Sequence, residues 1–107
     1  MGYFVYVIGC LKPSKPRTYV GWTKDLNERL RKHNLGKGAK STKGRKWKIL
    51  YHEIFNSKEK AQRREYYLKK DRILRKIFYI IQSTIYILRT FTISNFDIIK
   101  HASNHPV

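Results

Sequence analysis

The chain opens with two short runs of aromatic and β-branched residues, Tyr3-Phe4-Val5-Tyr6-Val7-Ile8-Gly9 and Arg17-Thr18-Tyr19-Val20-Gly21-Trp22, with Pro13 and Pro16 between them. Such residues fit the pleated, half-buried surface of a strand, and two prolines in so short a connection keep it out of either strand. A β-hairpin is therefore expected, residues 3–9 against 17–22, joined by the loop Leu11-Lys12-Pro13-Ser14-Lys15-Pro16. Strand alternation sets Phe4, Tyr6 and Ile8 on one face and Tyr3, Val5 and Val7 on the other. Gly21, two positions after Tyr19, is expected to leave that face open to the backbone of a ligand.

After the hairpin the period changes from two to 3.6. Thr23 suits the N-cap of a helix over about 24–34, with Asp25 in its first turn and Gly36 as the stop. Leu26, Arg29, Leu30 and His33 fall at i, i+3, i+4 and i+7, so two ionisable residues share the stripe that should face the core. The glycine-rich stretch 36–45 carries Lys37, Lys40, Lys43 and Arg45 without apolar periodicity. It reads, with Lys46, as a mobile loop that contacts phosphates. Residues 47–55 read as a third strand, apolar on both faces and hence central in a small sheet, with Trp47 in the core. Ser57 suits the cap of a second helix on which Ala61, Glu65, Leu68 and Arg72 form one stripe. An inward carboxylate there requires a paired base or a cation.

The net charge is +17, and 22 of the 24 Lys and Arg lie in residues 12–76 against six of the seven acids. So dense a positive field predicts a polyanionic partner, nucleic acid first, because each neutralised phosphate releases condensed counterions. One cysteine, Cys10, allows neither an intramolecular disulfide nor a cysteine-based zinc site, and the N-terminus has no secretory leader. Tyr6 occupies the position a myristoylation signal reserves for Ser or Thr. A reduced, cytoplasmic setting is expected. At 107 residues a single core is expected.

Two strand tyrosines alone serve packing as well as chemistry. In order, however, Phe4-Val5-Tyr6, Tyr19-Val20-Gly21-Trp22-Thr23, the run from Asn27 to His33-Asn34-Leu35-Gly36, Gly38-Ala39 and Arg64-Glu65 resemble the GIY-YIG nuclease superfamily over residues 3–76. The likeness is greatest to its small single-domain bacterial, UPF0213-like group. The resemblance implies an α+β fold, a small three-stranded antiparallel sheet flanked by helices. It also implies a metal-dependent endonuclease hydrolysing phosphodiester bonds, with DNA favoured over RNA. Tyr6, Tyr19, Arg29, His33 and Glu65 would be catalytic. Glu65 would hold one divalent cation, Mg²⁺ by preference, and Arg29 would brace the phosphate with its planar fork. Tyr6 would take the proton of the attacking water and pass it to His33, while Tyr19 orients water or phosphate. Tyr6 and Tyr19 are equivalent as base by residue type, and the family's usual assignment favours Tyr6. The alternative is a basic nucleic-acid-binding protein that keeps the fold without the chemistry.

The chain departs from the family in three ways. Some members carry an Asn one to three turns past the Glu that would hold the metal, where this chain has Ile73, Leu74 and Ile77. Neither the cysteine-rich zinc domain of a junction-cutting relative nor the separate DNA-binding module of homing-type relatives is expected. His52 reads as a packed or edge histidine; His101 and His105 have helical metal spacing in a terminal tail, a weak ligand pair. Residues 1–76 are taken as the nuclease-like domain and 77–107 as an extension of unknown role. The uncharged run 77–88 is shorter than the roughly 20 residues a span needs, and Arg89 closes it. A helix or strand docked on the domain is expected there rather than a membrane contact. A shifted reading frame in AT-rich DNA would give the same composition.

Overall fold

The computed structural model describes residues 2–11 and 16–103, the side chains of 96–103 excepted. Four segments of the hairpin and helix pattern appear in the expected order: β1 (Tyr3–Cys10), β2 (Arg17–Thr23), α1 (Leu26–Asn34) and, after a 3₁₀ turn at Lys40–Thr42, β3 (Lys48–Phe55). Two helices follow, α2 (Lys58–Lys70) and α3 (Arg72–Ser103). Residues 12–15 of the hairpin connection and His105 lie outside the described residues, as does the side chain of His101.

The sheet is antiparallel in the order β2-β1-β3, so β1, not β3, is central. The expectation for β3 rested on apolar residues at both faces. Its outer positions instead stand at the sheet edge, where His52 and Ile54 are exposed, while the last six residues of β1 are all buried. Between Val7 and Ile8 the register with β3 slips by one, from Tyr51 to Ile49, leaving Leu50 without a partner on β1. Such a bulge frees a carbonyl from the ladder, and here Gln82 Nε2 of α3 donates to the Leu50 carbonyl at 3.2 Å.

Each face of β1 has its own core. Val5 and Val7 pack with Val20, Leu50, Ala61 and Leu68 beneath α2 and the start of α3, while Tyr6, Ile8 and Cys10 pack with Trp47, Tyr19, Leu26 and Leu30 beneath α1. Burying one such side chain stabilises by about 1.5–3 kcal/mol, and Val5, Val7 and Ile8 are all at 0% exposure.

Helix ends are set locally. Asp25, not Thr23, caps α1, its Oδ1 accepting from the Glu28 amide at 3.1 Å. Thr23 is the last residue of β2, paired with Phe4, and its hydroxyl oxygen accepts from the Asp25 amide. Helix α1 ends at Gly36, φ +75°, where Lys37 N–H reaches the Lys32 carbonyl and Gly36 N–H that of His33. That pair of bonds is a Schellman closure, which needs a left-handed residue after the cap. Ser57 caps α2 through the Lys60 amide.

Helix α3 crosses position 77 without interruption. Its inner side docks on the domain: Phe78 stacks on Tyr51 with centroids 4.2 Å apart, and Lys48 lies over Tyr86 at 4.8 Å. The outer side does not, with Ile73 76% and Phe91 63% exposed. Arg89 does not end the apolar segment as the sequence suggested, and Arg72–Asn95 is long and apolar enough, by length and composition alone, to cross a membrane. The described chain is elongated, 65 × 31 × 27 Å.

Candidate active site

The register of the hairpin builds the site. Tyr6 pairs with Gly21, and a Cβ at Gly21 would come 2.7 Å from Tyr6 Cζ. The glycine therefore makes room for the phenol of Tyr6; it does not leave the face open for a ligand backbone. Tyr19, on the same face of β2, sets its ring 6.4 Å from that of Tyr6 and 5.0 Å from the imidazole of His33. Tyr6 and His33 are buried, 1% and 0% exposed.

The Tyr6 hydroxyl lies 2.8 Å from His33 Nε2, the two rings edge to face. Burial pushes the phenol well above its usual range; the neighbouring Tyr19 and, less strongly, Glu65 add to the rise, while the charge of the Arg29 guanidinium opposes it. Burial and then the charge of Arg29 hold His33 below the ordinary imidazole range. Three of the residues singled out from the sequence, Tyr6, Tyr19 and His33, thus touch directly, and the charges of Arg29 and Glu65 are near enough to act on the Tyr6 phenol.

Glu65 is less inward than the helical stripe implied. Ala61 and Leu68 are fully buried, whereas the Glu65 side chain is 17% exposed with Lys69 Nζ 2.6 Å from Oε1, and Arg72 is exposed at the start of α3. The neighbouring base, one turn on, partly answers the cost of its burial. No group of three or more His, Cys, Asp or Glu that could hold a metal occurs among the described residues. A single accessible carboxylate nevertheless suits Mg²⁺, which keeps most of its waters and takes one or two protein oxygens beside substrate phosphate.

The stretch 36–45 is only partly what its composition implied. Lys37, Lys40, Lys43 and Lys46 point to solvent and Arg45 is half-buried, but Thr42 is fully buried. Thr42 Oγ1 sits 2.9 Å from His33 Nδ1, and its carbonyl accepts from Trp47 Nε1 at 2.9 Å. Gly38 packs against the same imidazole at its Nδ1 end, where a Cβ would also come 2.8 Å from Cε1. Asn34 clamps the loop's exit, accepting from Trp47 N–H at 2.6 Å and donating to its carbonyl at 3.2 Å. Reading the loop as glycine-rich and basic missed Thr42; Asn34 and Gly38 stood among the phrases that carry the resemblance, but without these roles. Beside it a cleft of about 970 Å³ is lined by Asn34, Lys43, Arg45, Lys46 and Lys48, among others.

The chain is similar to known proteins over most of the sheet and the first two helices. The family model described as the GIY-YIG catalytic domain matches residues 2–74. A UPF0213 protein of Clostridium perfringens is 47% identical over 68 residues, 63% of this chain and 70% of the relative. One from Streptococcus agalactiae is 44% identical over 80 residues, 74% of this chain and 88% of its own. The solution structure of a UPF0213 protein of Bacillus halodurans superposes with a TM-score of 0.44 at 35% identity, covering 80% of this chain and 90% of that one.

Proposed function

Because the chain belongs to the GIY-YIG catalytic-domain family, we propose that it is a metal-dependent endonuclease that hydrolyses phosphodiester bonds in DNA. The observation that carries this reading is the contact of Tyr6 OH with His33 Nε2 at 2.8 Å inside a cluster that also holds Tyr19 and Arg29. Tyr6 takes a proton from the attacking water as its own passes to His33, so that the phenol never has to persist as a free anion at neutral pH. Arg29 stabilises charge on the phosphoryl oxygens with a planar, permanently charged fork. Tyr19 orients water or phosphate, and Lys37, Lys40, Lys43, Arg45 and Lys46 hold the strand on either side of the scissile bond.

Glu65 would hold a divalent cation, Mg²⁺ by the hardness of its oxygen, which would supply Lewis-acid stabilisation of the phosphate and offset the carboxylate's share, smaller than that of burial, in keeping the proton on Tyr6. Lys69 must share or release Glu65 Oε1 when that charge is used.

One observation favours the second reading, a nucleic-acid-binding protein without catalysis. Burial raises the phenol and lowers the imidazole, and both shifts oppose transfer from Tyr6 to His33. The test is incubation with single-stranded, duplex, flap and branched DNA and with RNA, with Mg²⁺ or EDTA, beside Glu65→Ala. Cleavage that requires both ion and carboxylate supports the endonuclease. Salt-sensitive binding without cleavage of any substrate selects the binder.

A further inference from the structure

We infer that Thr42 is a positioning residue that fixes the tautomer of His33, holding Nδ1 protonated so that Nε2 is free to accept the proton of Tyr6. The inference rests on the proposed relay for its catalytic consequence, but its structural content stands alone.

The direction of each bond follows from donor inventory. Thr42 Oγ1 lies 2.8 Å from the carbonyl oxygen of Ala39, and a carbonyl can only accept, so the single hydroxyl hydrogen of Thr42 points at Ala39. The same Oγ1 is 2.9 Å from His33 Nδ1 and has only lone pairs left to offer, so Nδ1 must carry the hydrogen and donate. A neutral imidazole has one N–H. Nε2 is then a bare acceptor, and the Tyr6 hydroxyl 2.8 Å away donates to it. Protonating Nε2 instead would set Nδ1 and Thr42 Oγ1 lone pair to lone pair, or turn the hydroxyl hydrogen to Nδ1 and leave Thr42 Oγ1 and the Ala39 carbonyl oxygen 2.8 Å apart with no hydrogen between them, the carbonyl then keeping only the Thr42 amide at 3.1 Å.

The loop is built to hold this arrangement. The Schellman closure at Gly36 turns the chain back beneath α1, the bare Cα of Gly38 lies against the imidazole, and the 3₁₀ turn Lys40–Thr42 carries the hydroxyl to Nδ1. Trp47 Nε1 and the Asn34 amide pin the far side of the turn. His33 is thus held from both nitrogens, one by a group that fixes its protonation and one by the group it serves, the usual way in which a second bond decides which ring nitrogen is free.

The test uses the full chain labelled with ¹⁵N in its histidine side chains, at a pH where His33 is neutral. The His33 resonances in the wild type are expected to show a protonated Nδ1 and an unprotonated Nε2. Thr42→Val, similar in shape but without the acceptor, should lose that pattern, and Thr42→Ser should keep it. In cleavage assays Thr42→Val should lower kcat by on the order of 10²-fold with KM nearly unchanged, and Thr42→Ser should restore most of the rate. A merely structural Thr would lower stability without altering the nitrogen pattern. Wild-type protein with the proton on Nε2 would overturn the inference whether or not any variant folds, as would Thr42→Val with the wild-type pattern and kcat. If the protein cleaves nothing, the endonuclease reading falls, while loss of the pattern in Thr42→Val still supports Thr42 as its determinant.

Discussion

The face of the sheet beneath α1 and the outer length of α3 are both rich in large apolar and aromatic side chains, yet only the first has something to pack against. Under α1 each group constrains its neighbour: Gly21 makes room for Tyr6, Tyr6 bonds His33, and His33 is backed by Gly38 and Thr42. Along α3 the constraint is one-sided. Phe78 and Gln82 hold the inner side to β3, and Tyr86 is met by Lys48 while itself 56% exposed; Ile73, Ile77, Ile80, Ile81, Ile87, Leu88 and Phe91 are exposed as well. The difference teaches that apolar content alone does not specify a position; mutual occlusion and satisfied polar atoms do.

The sharpest way to test the tightly constrained face is Arg29→Lys. A lysine keeps the charge and loses the fork, so cleavage is expected to fall by roughly 10²–10³-fold while binding of DNA at low salt changes little; equal rates would remove Arg29 from the phosphate. Gly21→Ala attacks the same face through space alone. Its Cβ meets the Tyr6 ring, and overpacking of this kind costs about 1–3 kcal/mol, read as a lower denaturation midpoint together with slower cleavage.

The other side of the comparison is tested by two truncations. Removing residues 79–107 strips the Gln82 bond to Leu50 and the Lys48 contact with Tyr86, and the orphaned Leu50 carbonyl alone is expected to cost on the order of 1 kcal/mol. Removing residues 89–107 touches none of these contacts and should change stability by less than about 0.5 kcal/mol. If both deletions are neutral, the helix is dispensable beyond Phe78; if the shorter one destabilises, the outer part of α3 contributes more than its exposure implies.

The smallest expected effect is in the pH dependence of stability. With the folded-state value of His33 lowered by burial, the unfolded chain binds more protons below about pH 6.5, so stability present above that pH is lost as pH falls toward the folded value. Tyr6 shifts the other way: its folded-state value is raised, the unfolded chain gives up its proton first above about pH 10, and stability is lost as pH rises. A stability profile flat across pH 5–7 would contradict a buried neutral His33.

Much of the fold was legible because local signals agreed: β-branched runs, proline punctuation, capping residues and 3.6-residue periodicity all marked elements near where they lie. The place of β3 was not, because an apolar residue at a sheet edge reads like one at its centre until the strand order is known. The cap of α1 was misplaced by two residues since Thr23 and Asp25 both have capping side chains and only pairing with Phe4 keeps Thr23 in the strand. In the site, Tyr6, Tyr19, Arg29 and His33 were visible as residue types at strand and helix spacing. Gly21 was visible too, but its purpose depends on cross-strand register. Thr42 was hidden because its importance comes from a turn folded over another element, which no periodicity encodes. For Glu65 the sequence asked for a paired base or a cation, and the i, i+4 spacing to Lys69 already marked the base that reaches it.

The most direct measurement of the central claim is single-turnover cleavage of a DNA substrate by wild type and Tyr6→Phe, each with Mg²⁺ and each confirmed folded by thermal denaturation. Losing the phenol leaves His33 Nε2 without its partner, so Tyr6→Phe is expected to be less stable by about 1–3 kcal/mol yet folded, and slower in cleavage by at least about 10²-fold. Wild-type rates from folded Tyr6→Phe would contradict the account, because the proton that it routes from Tyr6 to His33 would then not be needed.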